Sequence, residues 1–162
     1  MVSFLKKNLP GADLPVVVRG IASVDDALKA AEAGANAVWI TEKPHFSRSA
    51  ATPISILHSI SQSLASLHPG CEVFLQGGAR RGTDVLKGMA LGAKAVFIDN
   101  DTLLWGLYRD GNQVGLKEML TMLNEELKLS MVLTHSQDVS QVTADRIVEW
   151  IQPKPHQWRF KL

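Results

Sequence analysis

Two stretches of this chain repeat each other. Ala33-Gly34-Ala35-Asn36-Ala37-Val38-Trp39-Ile40 is echoed by Leu91-Gly92-Ala93-Lys94-Ala95-Val96-Phe97-Ile98. Each reads as a helix end, a glycine stop, a tight turn and a short apolar strand. A glycine just past a helix suits the left-handed C′ position. An apolar strand re-entering straight after a helix is the mark of a repeating βα unit. Four such units fit the chain. Strands are expected at 15–19, 37–40, 72–76 and 95–98, with helices after each. Continuous apolar strands alternating with helices predict a parallel sheet, with the Val-rich run at 15–19 buried on both faces.

The helix starts carry their own signals. Ser23 is expected to cap a helix with Asp25 and Asp26 in its first turn, where carboxylates oppose the dipole. Pro53 opens a helix reaching about Leu67, and His68-Pro69-Gly70 ends it. Thr83 or Asp84 is expected to cap a helix over 83–91. Beyond the last strand, a short helix is predicted at 102–108 and a longer amphipathic one at 112–133. Leu116, Met119, Leu120, Leu123, Leu127 and Met131 make its apolar stripe. A last helix is expected over about 138–150. Residues 1–150 then form one domain, and 151–162 a Pro-punctuated extended tail carrying Trp158, just after Trp150.

At 162 residues and 46% apolar content, the chain can bury a single core. A net charge of +1 gives no global field for nucleic acid or an acidic membrane. No apolar run approaches the ~20 residues of a membrane span. The single cysteine, Cys71, excludes an intrachain disulfide and suits an intracellular, reducing setting. It reads as a small buried hydrophobe rather than a nucleophile. The five histidines are scattered without metal-ligand spacing, so no metal site is expected. Phe160-Lys161-Leu162 faintly resembles a peroxisomal address, and the compartment stays open between cytoplasm, peroxisome and mitochondrion.

One segment carries chemistry. Glu72-Val73-Phe74-Leu75-Gln76 is a strand, Gly77-Gly78 a tight turn, and Arg80-Arg81 precede a helix. Backbone N–H groups, a positive helix end and two guanidinium forks would together favour a phosphate dianion. The same residues also read as an ordinary βα turn with two solvated arginines.

Gly77-Gly78-Ala79-Arg80-Arg81-Gly82-Thr83-Asp84-Val85-Leu86-Lys87, with Ala90 to Ile98 and Leu14 to Ile21, resembles the FMN-dependent 2-hydroxy-acid oxidase and dehydrogenase family. The resemblance covers residues 10–148 and only the C-terminal half of that family's catalytic domain. It implies an α/β fold, the C-terminal half of a TIM-type (β/α)8 barrel made of four parallel βα units plus C-terminal helices. It further implies FMN as cofactor at the C-terminal mouth of the strands.

By resemblance, Gly77, Gly78, Arg80 and Arg81 hold the flavin phosphate. Arg19 stands at a lysine that meets the flavin ring. Gln76 stands at an aspartate that binds the ribityl chain. His45 and Arg48 keep the spacing of the proton-abstracting histidine and the carboxylate-binding arginine, in a loop that has lost two glycines and gained Pro44. Asp99-Asn100-Asp101 replaces the family's Gly-Arg-Pro at a second phosphate contact, which puts carboxylates where an arginine stood. Two readings stay open. One is a truncated, degenerate homologue without independent catalysis, serving as a structural or regulatory subunit. The other is an oxidase of small 2-hydroxy acids completed by self-association or by a partner that supplies the missing half-barrel. In both, a homo-oligomer or a partner protein covers the open barrel edges.

Overall fold

In the computed structural model, residues 2, 4, 14–41, 52–110 and 113–148 are described. The order is β1 (Val17–Ile21), α1 (Val24–Glu32), β2 (Ala37–Ile40), α2 (Pro53–Leu67), β3 (Glu72–Gln76), α3 (Gly82–Ala90), β4 (Ala95–Phe97), α4 (Asn100–Asp110) and α5 (Gln113–Leu133). Two short 3-10 turns follow, at Val139–Gln141 and Ala144–Arg146. The four strands form one sheet in the order β1-β2-β3-β4, and every pairing is parallel. The fold expected from the repeating βα pattern is therefore the one observed. Among the described residues, no helix is long and apolar enough to cross a membrane.

The repeated sequence is a repeated structure. After α1, Gly34 (φ 95°) donates to Ala31 O and Ala35 to Ala30 O. After α3, Gly92 (φ 103°) donates to Met89 O and Ala93 to Gly88 O. These are the two bonds of a Schellman ending. Each turn then ties the next strand to the previous one, by Asn36 N–H to Val16 O and by Lys94 N–H to Val73 O.

The sheet has two unlike faces, because successive side chains along a strand point to opposite sides. Val38, Ile40, Val73 and Leu75 face the helices. They pack with Ala27, Ala30 and Ala31 of α1 and Leu57, Ile60 and Leu64 of α2 in one core cluster. Ile40, Leu57 and Ile60 are fully sealed from solvent. Each such side chain contributes about 1.5–3 kcal/mol on burial. A second cluster joins Leu86 and Ala90 of α3 to Val142, with Leu127, Met131 and Ile147 against it. Gly82 makes that packing possible: a Cβ there would lie 2.2 Å from the backbone nitrogen of Leu127.

Several expectations are corrected. The first strand is not buried on both faces: it starts two residues later, and Val17 is 39% exposed. The α3 N-cap is Arg81 rather than Thr83 or Asp84. The apolar stripe on α5 holds at Met119 and Leu123, but Leu120 points to solvent. The helix expected over 138–150 is replaced by the two 3-10 turns up to residue 148. Asp138 accepts from Ser140 N–H, and the Thr143 hydroxyl bonds the Asp145 carboxylate. Such local side-chain bonds compete with helix propagation. The tail 151–162 lies outside the described residues.

Candidate functional site

The face of the sheet away from the helices carries the chemistry. Arg19, Trp39 and Phe74 lie in one row of the strand register, and Gln76 pairs with Phe97 one step further toward the C-terminal ends. Trp39 stacks on Phe97, with ring centres 4.1 Å apart and planes at 29°. Phe74 meets Trp39 edge-on at 6.3 Å. The Arg19 guanidinium lies 5.4 Å from the Trp39 ring centre, within cation–π range. The indole Nε1 of Trp39 is buried without a hydrogen-bond partner among the described residues.

Above this aromatic layer runs a polar chain. Arg19 Nη2 donates to Gln76 Oε1 at 3.0 Å, and Gln76 Nε2 donates to Asp99 Oδ1 at 3.0 Å. Arg19 is on β1, Gln76 ends β3, and Asp99 follows β4. The chain therefore spans the sheet over Trp39 of β2. Both ends of the Gln76 amide are spent on it.

Beyond Gln76 the backbone turns at Gly77 (φ 120°) and Gly78 (φ 77°). A Cβ on Gly78 would meet open space, but its φ lies where side chains are strained. Arg80 and Arg81 follow, both exposed. The helix end beside them is partly occupied by the chain's own carboxylates. Asp84 Oδ2 accepts from Arg80 N–H and Arg81 N–H, each at 3.1 Å, and Glu126 Oε2 of α5 accepts from Gly82 N–H at 2.9 Å. Three N–H groups at the start of α3, those of Arg80, Arg81 and Gly82, are thus already bonded to carboxylates of the chain. What stays exposed is Gly78 and the two arginines, while Gly77 is buried. Arg80 and Arg81 border a groove of about 490 Å³, lined also by Trp105, Met119, Met122, Asp101 and Glu126.

Five of the residues singled out by sequence therefore gather at the C-terminal end of β3: Gln76, Gly77, Gly78, Arg80 and Arg81. Arg19 reaches them across the sheet. His45 and Arg48 lie outside the described residues. Among the described residues, no cluster of His, Cys, Asp or Glu could hold a metal ion. Cys71 packs against the main core, and burial first, then the Glu72 charge, push its thiol pKa up. That suits an inert side chain. Sequence reading missed Trp39 and Phe97 as partners, although their matching places in the echoed strands were a signal. It also missed Glu126, which reaches α3 from 44 positions away.

A parallel βα sheet with its polar groups at the carboxyl ends of the strands has the arrangement of part of a (β/α)8 barrel. A model of the FMN-dependent dehydrogenase family matches residues 3–149, and the chain belongs to that family. The 2-hydroxyacid oxidase 1 of Mus musculus is 38% identical over 126 residues, 78% of this chain and 33% of that protein. An L-lactate oxidase of Nostoc is 39% identical over 120 residues, 74% and 32%. A crystal structure of mandelate oxidase with (S)-4-hydroxymandelic acid superposes with a TM-score of 0.74 at 34% identity, covering 87% of this chain and 38% of that one. The chain spans about a third of the length of the curated relatives it matches.

Proposed function

We propose that this chain is a half-barrel relative of the FMN-dependent 2-hydroxy-acid oxidases that does not oxidise substrate by itself. It serves as a structural or regulatory subunit whose open strand edges are covered by a second copy or a partner protein. The observation that carries this reading is the closed chain Arg19–Gln76–Asp99. By family resemblance, these positions would face the flavin ring, the ribityl chain and the phosphate. Here they face one another.

The residues present do not make a ready flavin site. Asp99 sets a carboxylate beside the place a phosphate would take, and Asp101 lines the adjoining groove. Two like unit charges 4 Å apart near a protein surface cost about 4 kcal/mol. At the start of α3, which could have offset this, Asp84 and Glu126 already take the N–H groups of Arg80, Arg81 and Gly82. The test is a visible absorption titration of the purified protein with FMN. The flavin band is expected to stay unperturbed. A protein that purifies yellow, or shifts the band on adding FMN, overturns the reading.

A second reading is supported by the left-handed Gly77–Gly78 turn and by Arg80 and Arg81, which are exposed beside it. In it, the chain is a working 2-hydroxy-acid oxidase completed by further strands. Gly77, Gly78, Arg80 and Arg81 hold the FMN phosphate, His45 takes the substrate's hydroxyl proton, and Arg48 binds its carboxylate. Replacing Arg80 and Arg81 by Ala separates the two: an oxidase loses its flavin, and a scaffold is unchanged.

A further inference from the structure

The two edges of the sheet are chemically complementary. Among the described residues, β1 and β4 each have one strand neighbour. All four strands run the same way, so β4 of one copy can pair with β1 of another in the parallel sense found within the sheet. The edges also differ in charge. The β1 edge carries Arg19, and the β4 end carries Asp99. Arg19 gives one of its five N–H donors to Gln76, and Asp99 gives Gln76 one of its two carboxylate oxygens. Each has bonding capacity left at its own edge.

We infer that two copies of this chain associate about a two-fold axis parallel to the strands, joining β1 to β4′ and β4 to β1′ in a closed eight-stranded barrel. This names the second copy as the occupant of the open edges, and rests on the half-barrel reading above. One two-fold operation makes both seams at once, as an isologous dimer requires. At each seam Arg19 of one copy meets Asp99 of the other. The two polar chains then join head to tail, with the charges alternating in sign. An eight-stranded barrel has an interior that side chains just fill. Trp39, Phe74 and Phe97 from each copy supply that filling. Closure also removes both unpaired edges, which otherwise recruit other chains.

The test is sedimentation of the full chain and of two charge reversals, Arg19→Asp and Asp99→Arg. The parent is expected to be a dimer. Each reversal alone places like charges at both seams, and its dimer is expected to weaken at least tenfold. Mixing the two variants sets the introduced aspartate against the introduced arginine at one seam. The other seam keeps the native pair, Arg19 against Asp99, so the heterodimer is expected to recover. The polar chain within each protomer stays broken in the mixture, so recovery reports on the seam alone. Circular dichroism checks that each variant is folded. Should a reversal unfold, Arg19→Gln and Asp99→Asn are read instead, each weakening the dimer. A parent that is monomeric at every concentration overturns the inference. So do variants that dimerise as the parent does, or a mixture that fails to recover. An FMN titration of the same samples reads the proposed function separately, since a colourless dimer and a yellow monomer are distinct results.

Discussion

Gln76 and Trp39 set the character of the mouth residue by residue. Gln76 is held at both ends, so opening the site takes more than one change. Restoring the residues that the family carries by resemblance, in the variant Gln76→Asp with Asp99→Gly and Asn100→Arg, moves a carboxylate from 99 to 76 and adds a guanidinium at 100. FMN affinity is expected to rise at least tenfold over the parent, read by quenching of flavin fluorescence. No gain would show that something besides these three positions keeps the flavin out. Trp39 is a different case. Its buried Nε1 has no partner among the described residues, and an unsatisfied buried donor costs about 1–3 kcal/mol. Trp39→Phe removes that donor while keeping a ring against Phe97. The lost contact area and the relieved donor offset each other. The unfolding free energy read from urea titration should therefore change by less than about 1 kcal/mol, where a large aromatic truncation to Ala costs about 3–5.

Helix starts show how differently similar sequence signals can be used. Ser23 Oγ accepts from Asp26 N–H at 3.1 Å, while Thr52 caps α2 without any side-chain bond. Ser23→Ala should cost about 1 kcal/mol, and Thr52→Ala much less, measured by thermal unfolding. The segment after α5 adds a pH dependence. The Ser140 hydroxyl, then its N–H, hold the Asp138 carboxyl below the ordinary range, and the Thr143 hydroxyl does the same to Asp145. Their folded pKa values are depressed. The stability they lend is present above the unfolded carboxylate pKa and lost as pH falls through the folded values. NMR titration should find both midpoints low, and Ser140→Ala should raise that of Asp138. The strand and helix boundaries were largely legible in sequence because Gly34, Gly92, Ser23 and Pro53 act through their immediate neighbours. The pairing of Arg19, Gln76 and Asp99 was not, since it links β1 to β3 and β4 across the fold. The closing of α3 by Glu126 was hidden for the same reason. The lost helix at 138–150 failed on local competition, where Asp138 and Thr143 bond their neighbours instead of leaving the backbone to propagate.

The whole molecule divides its apolar groups between two tasks, and this division is testable. Leu57 is sealed in the core between helices and sheet. Phe97 lies on the opposite face, stacked on Trp39 and half-buried. Leu57→Ala removes fully buried methyl groups and leaves a cavity, which costs about 2–5 kcal/mol. For a chain of this size that lowers the unfolding midpoint by roughly 4–20 °C, at about 2–4 °C per kcal/mol. Its surviving folded fraction should still associate with parental affinity, because the edges and the inner face are intact. Phe97→Ala should act the other way. Its ring is only partly withdrawn from solvent in one copy, so the protomer loses less stability than with Leu57→Ala. In the closed barrel the same ring is enclosed from both sides, so the dimer should dissociate at least tenfold more readily. Urea unfolding at a protein concentration below the dissociation constant reads the first effect, and sedimentation reads the second. A Phe97→Ala variant that loses stability like Leu57→Ala, and associates like the parent, would place the inner face in the protomer's own core and remove its role in assembly.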